Sequence, residues 1–375
     1  MAPIRIGIIG LSSGATTAWA SRAHLPYLLS ARGRSKYIIT ALCNSSVEAA
    51  QRAIKAYDLP AETKAYGSPA DLAADPDVDF VVVSTRVDKH YETALPSVKA
   101  GKAVYVEWPL AQDPRHAAEL AAAAKESGAR TAVGVQGRFG PVLLKAQELL
   151  REGRIGKVLS SEVRATGGSI DRDILPIGMK YFTERAVGGN ILTIGLGHLF
   201  DQVQSILGDA TNLQSRVQIQ RPNVRIRDPS TQEIVETTKS DVPDLIIATG
   251  TLPASDIVAP GATLVTRFRR GQPFPGEPPL VWSINGEKGE IRLTSDSGTA
   301  LQFSPDANQT RIEVHDYETD KVERVEWAWA DWQAELPVVT RSIGSLYDAF
   351  ADGDDAAVPN FEDAAKRQEQ LDGLF

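Results

Sequence analysis

Cysteine is almost absent from this sequence, since Cys43 is the only one among 375 residues. A single cysteine excludes an intramolecular disulfide and any metal site built from several cysteines. Chains this poor in cysteine are typical of reducing compartments. Long apolar runs are also missing: no stretch of about 18 apolar residues occurs, and a membrane-spanning helix requires roughly that length. We therefore expect neither a disulfide-stabilised domain nor a membrane protein.

Positive charge is in short supply as well. Lys and Arg number 40 against 48 Asp and Glu, a net charge of −8, whereas proteins that bind nucleic-acid backbones need a basic surface. The first residues, Ala2–Gly7, lack the basic leader and long apolar stretch of a secretory signal. We expect a cytoplasmic protein that binds a small molecule and makes no direct contact with nucleic acid.

Short apolar runs alternate with helical patterns over the first 137 residues. The runs are too continuously apolar to have a wet face, which indicates a parallel sheet covered by helices on both sides. The predicted strands are 4–9, 37–43, 78–85, 103–107 and 131–136, and the predicted helices are 17–32, 47–57, 93–100 and 115–127.

The pattern changes after about residue 140. Alternating apolar and polar residues now predict a mostly antiparallel sheet, with helices before it and at the C-terminus. Segment 221–242 is rich in Pro, Asp, Thr and Ser and is predicted as a surface excursion. The predicted strands are 157–165, 213–220, 245–251, 262–269, 280–285 and 290–294, and the predicted helices are 142–152, 188–207, 338–350 and 361–371.

A glycine-containing turn lies between the first strand and the first helix. It contains Gly10, Ser12, Ser13 and Gly14. Free N–H groups at a helix N-terminus attract a pyrophosphate, and glycines let the backbone approach it closely. The match to the G-x-G-x-x-G pattern is incomplete, because Ser12 and Ala15 stand at its second and third glycine positions. An ordinary strand–helix turn is the alternative, but the surrounding strand–helix–strand pattern favours a dinucleotide site.

The end of the second strand bears on the choice of cofactor. A carboxylate usually binds the ribose 2′-hydroxyl of NAD at this point. The chain has Asn44, Ser45 and Ser46 there instead. A carboxylate would repel a 2′-phosphate, whereas Asn and Ser can donate hydrogen bonds to one. The sequence therefore favours NADP, with NAD as the second choice.

Several short motifs lie at the ends of predicted strands and in the second half of the chain. They are Thr85 with His90, Glu107-Trp108-Pro109, Gly134–Phe139, Glu152–Val158, Gly188-Gly189 with Gly197–Asp201, and Trp282–Gly289. Together they resemble motifs of the Gfo/Idh/MocA oxidoreductases, the family of glucose–fructose oxidoreductase and inositol dehydrogenase. The chain departs from the family pattern at Arg86, Trp108 and Thr193, where Pro, Lys and Asp are usual.

The resemblance implies an overall organisation. Residues 1–137 would form a Rossmann dinucleotide-binding domain, and residues 138–375 an α+β domain with a large, open, mostly antiparallel sheet for substrate binding and oligomerisation. Relatives often form homodimers through the exposed face of that sheet. The cofactor contacts that we assign from the resemblance, beyond the glycine turn and residues 44–46, are Thr85, His90, Glu107, Trp108 and Gln136.

The resemblance also implies a catalytic group. His198 would be the general acid or base, with the substrate between it and the nicotinamide. Asp201 lies three residues later on the same helix, so the two side chains share a face and the carboxylate can fix the imidazole tautomer. Tyr181 and Lys180 are the reserve proton donors. The alternatives are a buried structural histidine for His198 and surface-loop positions for the other two.

Substrate contacts are expected from Trp108, Arg138, Tyr181 and His198. For Arg138 a structural ion pair is the alternative. No metal site is expected, because His198 and Asp201 alone offer too few ligands. His24, in the first helix, is predicted to be a packing residue.

The residue at position 108 bears on whether the protein is an enzyme or a regulator. The family lysine at this position helps to position substrate and tune proton transfer, whereas an indole carries no charge and is a donor only. The E-W-P sequence resembles the fungal galactose-regulon repressor branch of the family. The first hypothesis is an NADP(H)-dependent oxidoreductase acting on a carbonyl, alcohol, C=C or C=N carbon of a sugar-like or secondary-metabolite substrate. The alternative is a cofactor-binding transcriptional regulator without turnover, and a dimeric scaffold is a third, weaker hypothesis.

Overall fold

The structure, a computed structural model, describes residues 2–14, 18–167 and 171–375. They form two compact units. The first contains the described residues up to Gln136, together with Ala186–Gly189 and Asp331–Gln370, and the second contains the remainder. The sequence placed residues 331–370 in the second domain, whereas the structure groups them with the first unit. As a division into independently folding domains, 1–137 and 138–375 stays a prediction.

A parallel sheet forms the core of the first unit and confirms the predicted α/β organisation. Its strand order is β3-β2-β1-β4-β5-β6, and all the neighbouring pairs run parallel. The short edge strand β3 was not predicted from the sequence, because three residues carry too little pattern. The strands are β1 Ile4–Ile9, β2 Tyr37–Cys43, β3 Lys64–Tyr66, β4 Phe80–Val83, β5 Ala103–Val106 and β6 Thr131–Val133.

Helices follow the strands of this sheet, and local capping explains several of their ends. The side chains of Ser46, Ser68 and Asp113 each accept a hydrogen bond from a backbone N–H in the first turn of the next helix. A π-helical segment, Ala20–His24, precedes α1. The helices are α1 Leu25–Leu28, α2 Ala31–Lys36, α3 Val47–Ala56, α4 Pro69–Ala74, α5 Val87–Lys99 and α6 Pro114–Ser127.

The second unit contains an eight-stranded sheet in the order β17-β16-β15-β14-β7-β13-β12-β9. It is mostly antiparallel, as predicted, and β7 and β13 run parallel. Its strands are β7 Val158–Gly167, β9 Thr211–Gln218, β12 Leu245–Thr251, β13 Val258–Arg270, β14 Leu280–Gly286, β15 Gly289–Ser295, β16 Thr310–Asp316 and β17 Lys321–Val325. The helices of this unit are α7 Pro141–Arg151 and α8 Gly197–Leu207.

A second, smaller sheet corrects the prediction for segment 221–242. Two strands, β10 Asn223–Arg227 and β11 Ile234–Lys239, pair with β8 Ile174–Pro176 in the order β11-β10-β8. Val224 and Ile226 alternate with polar residues and are completely buried, which gives the small sheet its apolar contact. These strands were not predicted from the sequence, because the polar composition of the segment outweighed the signal of these two apolar residues.

Three helices close the chain: α9 Asp331–Ala334, α10 Val338–Asp352 and α11 Phe361–Asp372. The last two confirm the predicted terminal helices. Helix α10 packs against the N-terminal helices through Tyr347, whose ring stacks on Tyr27 at a centroid distance of 5.4 Å. Among the helices of the described ranges, none combines the length and apolarity needed to cross a membrane.

Candidate functional site

The carboxyl ends of the parallel strands form the candidate nucleotide site. In a sheet with the order 3-2-1-4-5-6, dinucleotides bind outside these ends, where the strand order reverses between β1 and β4. The predicted cofactor residues follow the strands as this rule requires: Gly10–Gly14 after β1, Asn44–Ser46 after β2, Thr85 after β4, Glu107 and Trp108 after β5, and Gln136 after β6. By this rule we expect the residues after β2 on the adenosine side of a bound dinucleotide and those after β5 and β6 on its nicotinamide side.

The turn after β1 requires glycine at position 10. Gly10 has a φ of +99°, and a Cβ atom there would lie 2.3 Å from the backbone oxygen of Ser84. Ser12 stabilises the turn, because its Oγ accepts a hydrogen bond from the N–H of Gly14 at 3.3 Å. Its carbonyl also accepts one from the hydroxyl of Tyr57 at 3.1 Å. Ala15 lies outside the described residues.

The residues after β2 are partly committed to the fold. The amide of Asn44 donates to the carbonyl of Leu11 at 2.8 Å, and Ser46 caps α3. Ser45 is exposed. A carboxylate follows shortly after: the N–H of Glu48 itself and the hydroxyl of Ser46 lower the pKa of Glu48, with a smaller contribution from the charge of Arg52. The segment after β2 is thus followed by a carboxylate with a lowered pKa and an arginine close by.

His90 connects two loops at the nicotinamide side. Its Nδ1 lies 2.8 Å from the carbonyl oxygen of Pro109, and its Nε2 lies 3.1 Å from that of Thr85. Burial lowers the pKa of His90, although the two carbonyls oppose the shift. Because both ring nitrogens face backbone carbonyls, the structure supports a bracing role for His90, and its predicted contact with the cofactor gains no support from these nitrogens.

The loop that contains Trp108 is held from two further directions. The side-chain amide of Gln368 both accepts from the N–H of Ala111 at 3.1 Å and donates to its carbonyl at 2.8 Å. Gly188 lies so close to Gln112 that a Cβ would come within 2.4 Å of its backbone. Trp108 itself is only 4% exposed. The loop is therefore a fixed platform at the end of β5.

Glu107 is the centre of a buried hydrogen-bond network. Its Oε1 lies 2.8 Å from Nε2 of His24 and accepts a hydrogen bond from the hydroxyl of Tyr105, also at 2.8 Å. Nδ1 of His24 lies 2.8 Å from the hydroxyl of Tyr347. Burial on its own raises the pKa of Glu107, but His24 and Tyr105 outweigh it and hold the pKa below its usual value. His24, predicted as a packing residue, is thus bonded at both nitrogens.

The lowered pKa of Glu107 predicts a pH-dependent contribution to stability. A depressed carboxyl pKa stabilises the folded state above the unfolded-state pKa of about 4.3, and this contribution is lost as pH falls through the folded-state pKa. Glu107→Gln should therefore lower the free energy of unfolding by about 1–3 kcal/mol at neutral pH, with the difference shrinking below about pH 4. Urea denaturation of the wild type and Glu107→Gln between neutral pH and pH values below about 4 measures this difference in free energy of unfolding. A difference that grows towards acid pH contradicts the prediction.

Gln136 is the most unusual polar side chain on the nicotinamide side. It is fully buried, yet within the described ranges neither its Oε1 nor its Nε2 has a hydrogen-bond partner. Leaving a buried amide without partners costs about 1–3 kcal/mol per group. The side chain therefore has unused donors and acceptors, as a contact residue for a polar ligand requires.

Helix α8 carries the predicted catalytic pair in the second unit. A π-helical segment, Ile191–Leu196, precedes it and begins at Asn190, whose side chain accepts from the backbone N–H of Thr193 while the Thr193 hydroxyl accepts from the N–H of Asn190. Threonine in place of the family aspartate thus serves as a cap. His198 and Asp201 both lie on α8, and the acid–base role of His198 stays a prediction.

Asp201 forms an ion pair with Arg138. Nε and Nη2 of Arg138 donate to the two carboxylate oxygens of Asp201 at 2.9 and 2.7 Å. The Asp201 side chain is 1% exposed, so this pair compensates a buried charge. The structural ion pair considered as the alternative for Arg138 is present. The ion pair occupies the Asp201 carboxylate that was predicted to assist His198. It also occupies the Arg138 guanidinium that was predicted to contact the substrate.

Lys180 is engaged elsewhere. Its amino group lies 2.7 Å from both carboxylate oxygens of Glu236 on β11. Both side chains are partly exposed, and the role of Lys180 as a reserve proton donor or as a replacement for the family lysine stays a prediction. The ring of Tyr181 packs edge-on against Phe182 at 4.9 Å, and its catalytic role stays a prediction. In the part of the chain that the structure describes, no cluster of three or more His, Cys, Asp or Glu residues could hold a metal ion.

The parallel sheet with its strand order and the glycine turn after β1 define the fold of a Rossmann-type oxidoreductase. Comparisons with known proteins agree with this class. Residues 4–135 match the model of the oxidoreductase family with an NAD-binding Rossmann fold. Residues 141–295 match the C-terminal domain of Gal80p. The chain belongs to the Gfo/Idh/MocA oxidoreductase family, as the sequence motifs indicated.

Individual relatives come from both functional classes. The dehydrogenase aclE of Aspergillus oryzae is 31% identical over 374 residues, which cover 99% of this chain and 95% of the relative. The galactose/lactose metabolism regulatory protein GAL80 of Saccharomyces cerevisiae is 29% identical over 80% of this chain and 68% of its own length. A crystal structure of a super-repressor mutant of Gal80p has a TM-score of 0.85 and 24% identity, covering 100% of this chain and 95% of that one. This last match shows the fold alone.

Proposed function

We propose that the protein is an NADP(H)-dependent oxidoreductase that transfers hydride to or from a carbonyl or alcohol carbon, or a C=C or C=N carbon, of a sugar-like or secondary-metabolite substrate. The observation that carries the proposal is Gln136, whose fully buried amide at the nicotinamide side has no partner within the described ranges. The tight turn at Gly10 would give the phosphates access to the backbone. The similarity to a dehydrogenase over nearly the whole chain adds further support.

The chain's own residues divide the work in this proposal. The bound nicotinamide would supply or accept the hydride. Gln136 would orient a polar group of the ligand, and Trp108 would cover it with an apolar surface that excludes water. His198 would give a proton to the substrate oxygen during reduction and take it back during oxidation. Tyr181 and Lys180 would be the reserve donors, and Lys180 would first have to leave its ion pair with Glu236.

The preference for NADP over NAD rests on residues 44–46, which contain no carboxylate. The charge of Glu48 opposes a 2′-phosphate, and Arg52 one helical turn later offsets it. Fluorescence titration with NADPH and NADH tests the preference. We expect NADPH to bind more tightly than NADH. Arg52→Gln should reduce this difference in affinity, and tighter binding of NADH by the wild type would reverse the preference for NADP.

The function itself is tested by following nicotinamide absorbance with a panel of sugars, polyols and ketones. We expect turnover with at least one compound. His198→Ala should remove that turnover while leaving cofactor affinity intact, and unchanged activity would eliminate the assigned role of His198.

A second function is favoured by a specific observation. Trp108 occupies the position of the family lysine in a buried, fixed loop, and an indole cannot relay a proton. Together with the match of residues 141–295 to the Gal80p C-terminal domain, this supports a cofactor-binding regulator without turnover. A stable cofactor complex that turns over none of the panel would favour this function.

We further propose a cytoplasmic homodimer formed through the exposed face of the eight-stranded sheet. Ile247 on β12 is 40% exposed on that face, and its neighbours in register are Arg216 and Arg267. Analytical ultracentrifugation tests the dimer: Ile247→Asp should shift the protein towards monomer, and a monomeric wild type would refute it.

Gln136→Leu should have opposite effects on stability and on binding. Leucine removes the buried amide without partners, so the ligand-free protein should gain about 1–2 kcal/mol in free energy of unfolding. The lost hydrogen bonds should weaken cofactor or substrate binding by about tenfold. Denaturation and fluorescence titration measure the two effects. Ser97→Ala is the matched control, because the buried hydroxyl of Ser97 also has no partner among the described residues; this variant should leave binding unchanged. A loss of stability in Gln136→Leu would contradict the prediction.

A further inference from the structure

The network around Glu107 allows one arrangement of protons at the carboxylate. An ionised carboxylate only accepts hydrogen bonds, so Nε2 of His24 must carry the proton that it shares with Oε1. In the neutral imidazole Nδ1 is then an acceptor, and the hydroxyl of Tyr347 donates to it. Tyr105 adds a second donor to Oε1. Tyr347 therefore fixes the tautomer of His24, and His24 fixes the orientation of Glu107.

The three residues come from distant parts of the chain but belong to the same unit. His24 ends the π-helical segment after β1, Glu107 follows β5, and Tyr347 lies on α10. The other oxygen of the carboxylate, Oε2, lies against Gly134, where an added Cβ would be 2.7 Å away. Glu107 is 7% exposed. The carboxylate is thus held between β5 and the segment after β6, at the end of the sheet assigned to the nicotinamide.

We propose that His24 and Tyr347 are positioning residues that hold the Glu107 carboxylate for the nicotinamide ring of the bound dinucleotide. This inference rests on the proposed function, because it requires a dinucleotide in the site. Burying an ionised carboxylate such as that of Glu107 is costly unless hydrogen bonds compensate it. A role in orienting a ligand gives this costly arrangement a purpose that packing alone does not.

A comparison of two ligands separates positioning from general stability. NADPH contains the nicotinamide, whereas 2′-phospho-ADP-ribose retains the rest of the molecule but lacks that ring. If titration shows that NAD is preferred, NADH and ADP-ribose replace them. His24→Leu should weaken NADPH binding by about tenfold, a loss equivalent to one strong hydrogen bond, and change the affinity for the ring-less ligand by less than about twofold.

Three further variants complete the test. In His24→Gln the amide N–H can replace Nε2–H, so most of the NADPH affinity should return. Tyr347→Phe removes the donor to Nδ1 and should weaken NADPH binding by about threefold. Tyr37→Phe is the matched control: its hydroxyl donates to the backbone carbonyl of Tyr347 at 2.6 Å, and its loss should leave both affinities unchanged. The last two variants and His24→Gln carry the test if His24→Leu does not fold.

The outcomes are distinct. Equal weakening of both ligands would assign the network to the stability of the unit and overturn the inference. Unchanged binding of both ligands by His24→Leu would also overturn it. If the wild type binds the ring-less ligand as tightly as NADPH, the nicotinamide ring makes no favourable contact and the inference is overturned. Nucleotide binding itself would still be supported by that result. A wild type that binds neither ligand refutes the proposed function and this inference with it.

Discussion

Replacing Arg138 with methionine is expected to lower the free energy of unfolding by about 3–5 kcal/mol. The arginine compensates the charge of Asp201, whose side chain is 1% exposed. Methionine keeps much of the side-chain length and removes both N–H···O contacts. The carboxylate would then remain buried without the two donors of Arg138, a situation that is far more costly than losing an exposed ion pair.

Urea denaturation of the wild type and three variants measures this effect. Arg154→Met is the matched control, because Arg154 pairs with Glu323 at 2.6 Å where both side chains are well exposed; its loss should cost less than about 1 kcal/mol. Arg138→Met combined with Asp201→Leu should recover most of the lost stability, since no buried charge remains at this pair. If Arg138→Met costs no more than Arg154→Met, the charge of Asp201 is compensated by other groups.

Strand periodicity predicted both large sheets because each strand carries its own signal. Continuous Val and Ile runs indicated β4 and β1, and alternation indicated β12 within its observed bounds. No strand was predicted at β3, β16 or β17, although β16 has seven residues whose burial alternates. β3 has three residues, and β17 is largely exposed on both faces. β11 is also largely exposed, and the composition of its segment predicted a surface excursion.

The candidate cofactor residues were predictable because topology places them. Once a residue follows a parallel strand, its position at the carboxyl edge is determined. The ion pair of Lys180 and the partners of His24 depend on side chains that meet only in three dimensions. Lys180 meets Glu236 at a separation of 56 residues, and His24 meets Tyr347 at a separation of 323. No local pattern in the sequence contains these pairings.

Gly10→Ala is expected to disable the nucleotide site, whereas Gly14→Ala in the same turn should leave it intact. At position 10 a Cβ would lie 2.3 Å from the Ser84 backbone oxygen, and the φ of +99° is one that alanine rarely adopts; at position 14 an added methyl group would have no described atom within 4 Å. Relief of the clash at position 10 must separate the end of β1 from that of β4, at a cost of about 2–5 kcal/mol. Because the strand order reverses between these two ends, the same movement opens the place where a pyrophosphate would bind.

Both substitutions add one methyl group and leave the charge unchanged, so the difference between them isolates backbone geometry. We expect Gly10→Ala to weaken cofactor binding by more than about a hundredfold in fluorescence titration, in line with the loss of about 3 kcal/mol, and to lower the melting temperature. Gly14→Ala should bind within about threefold of the wild type. Equal affinities for the two variants would mean that the turn after β1 does not contact the cofactor, since the clash at Gly10 is with the strand end that forms the site.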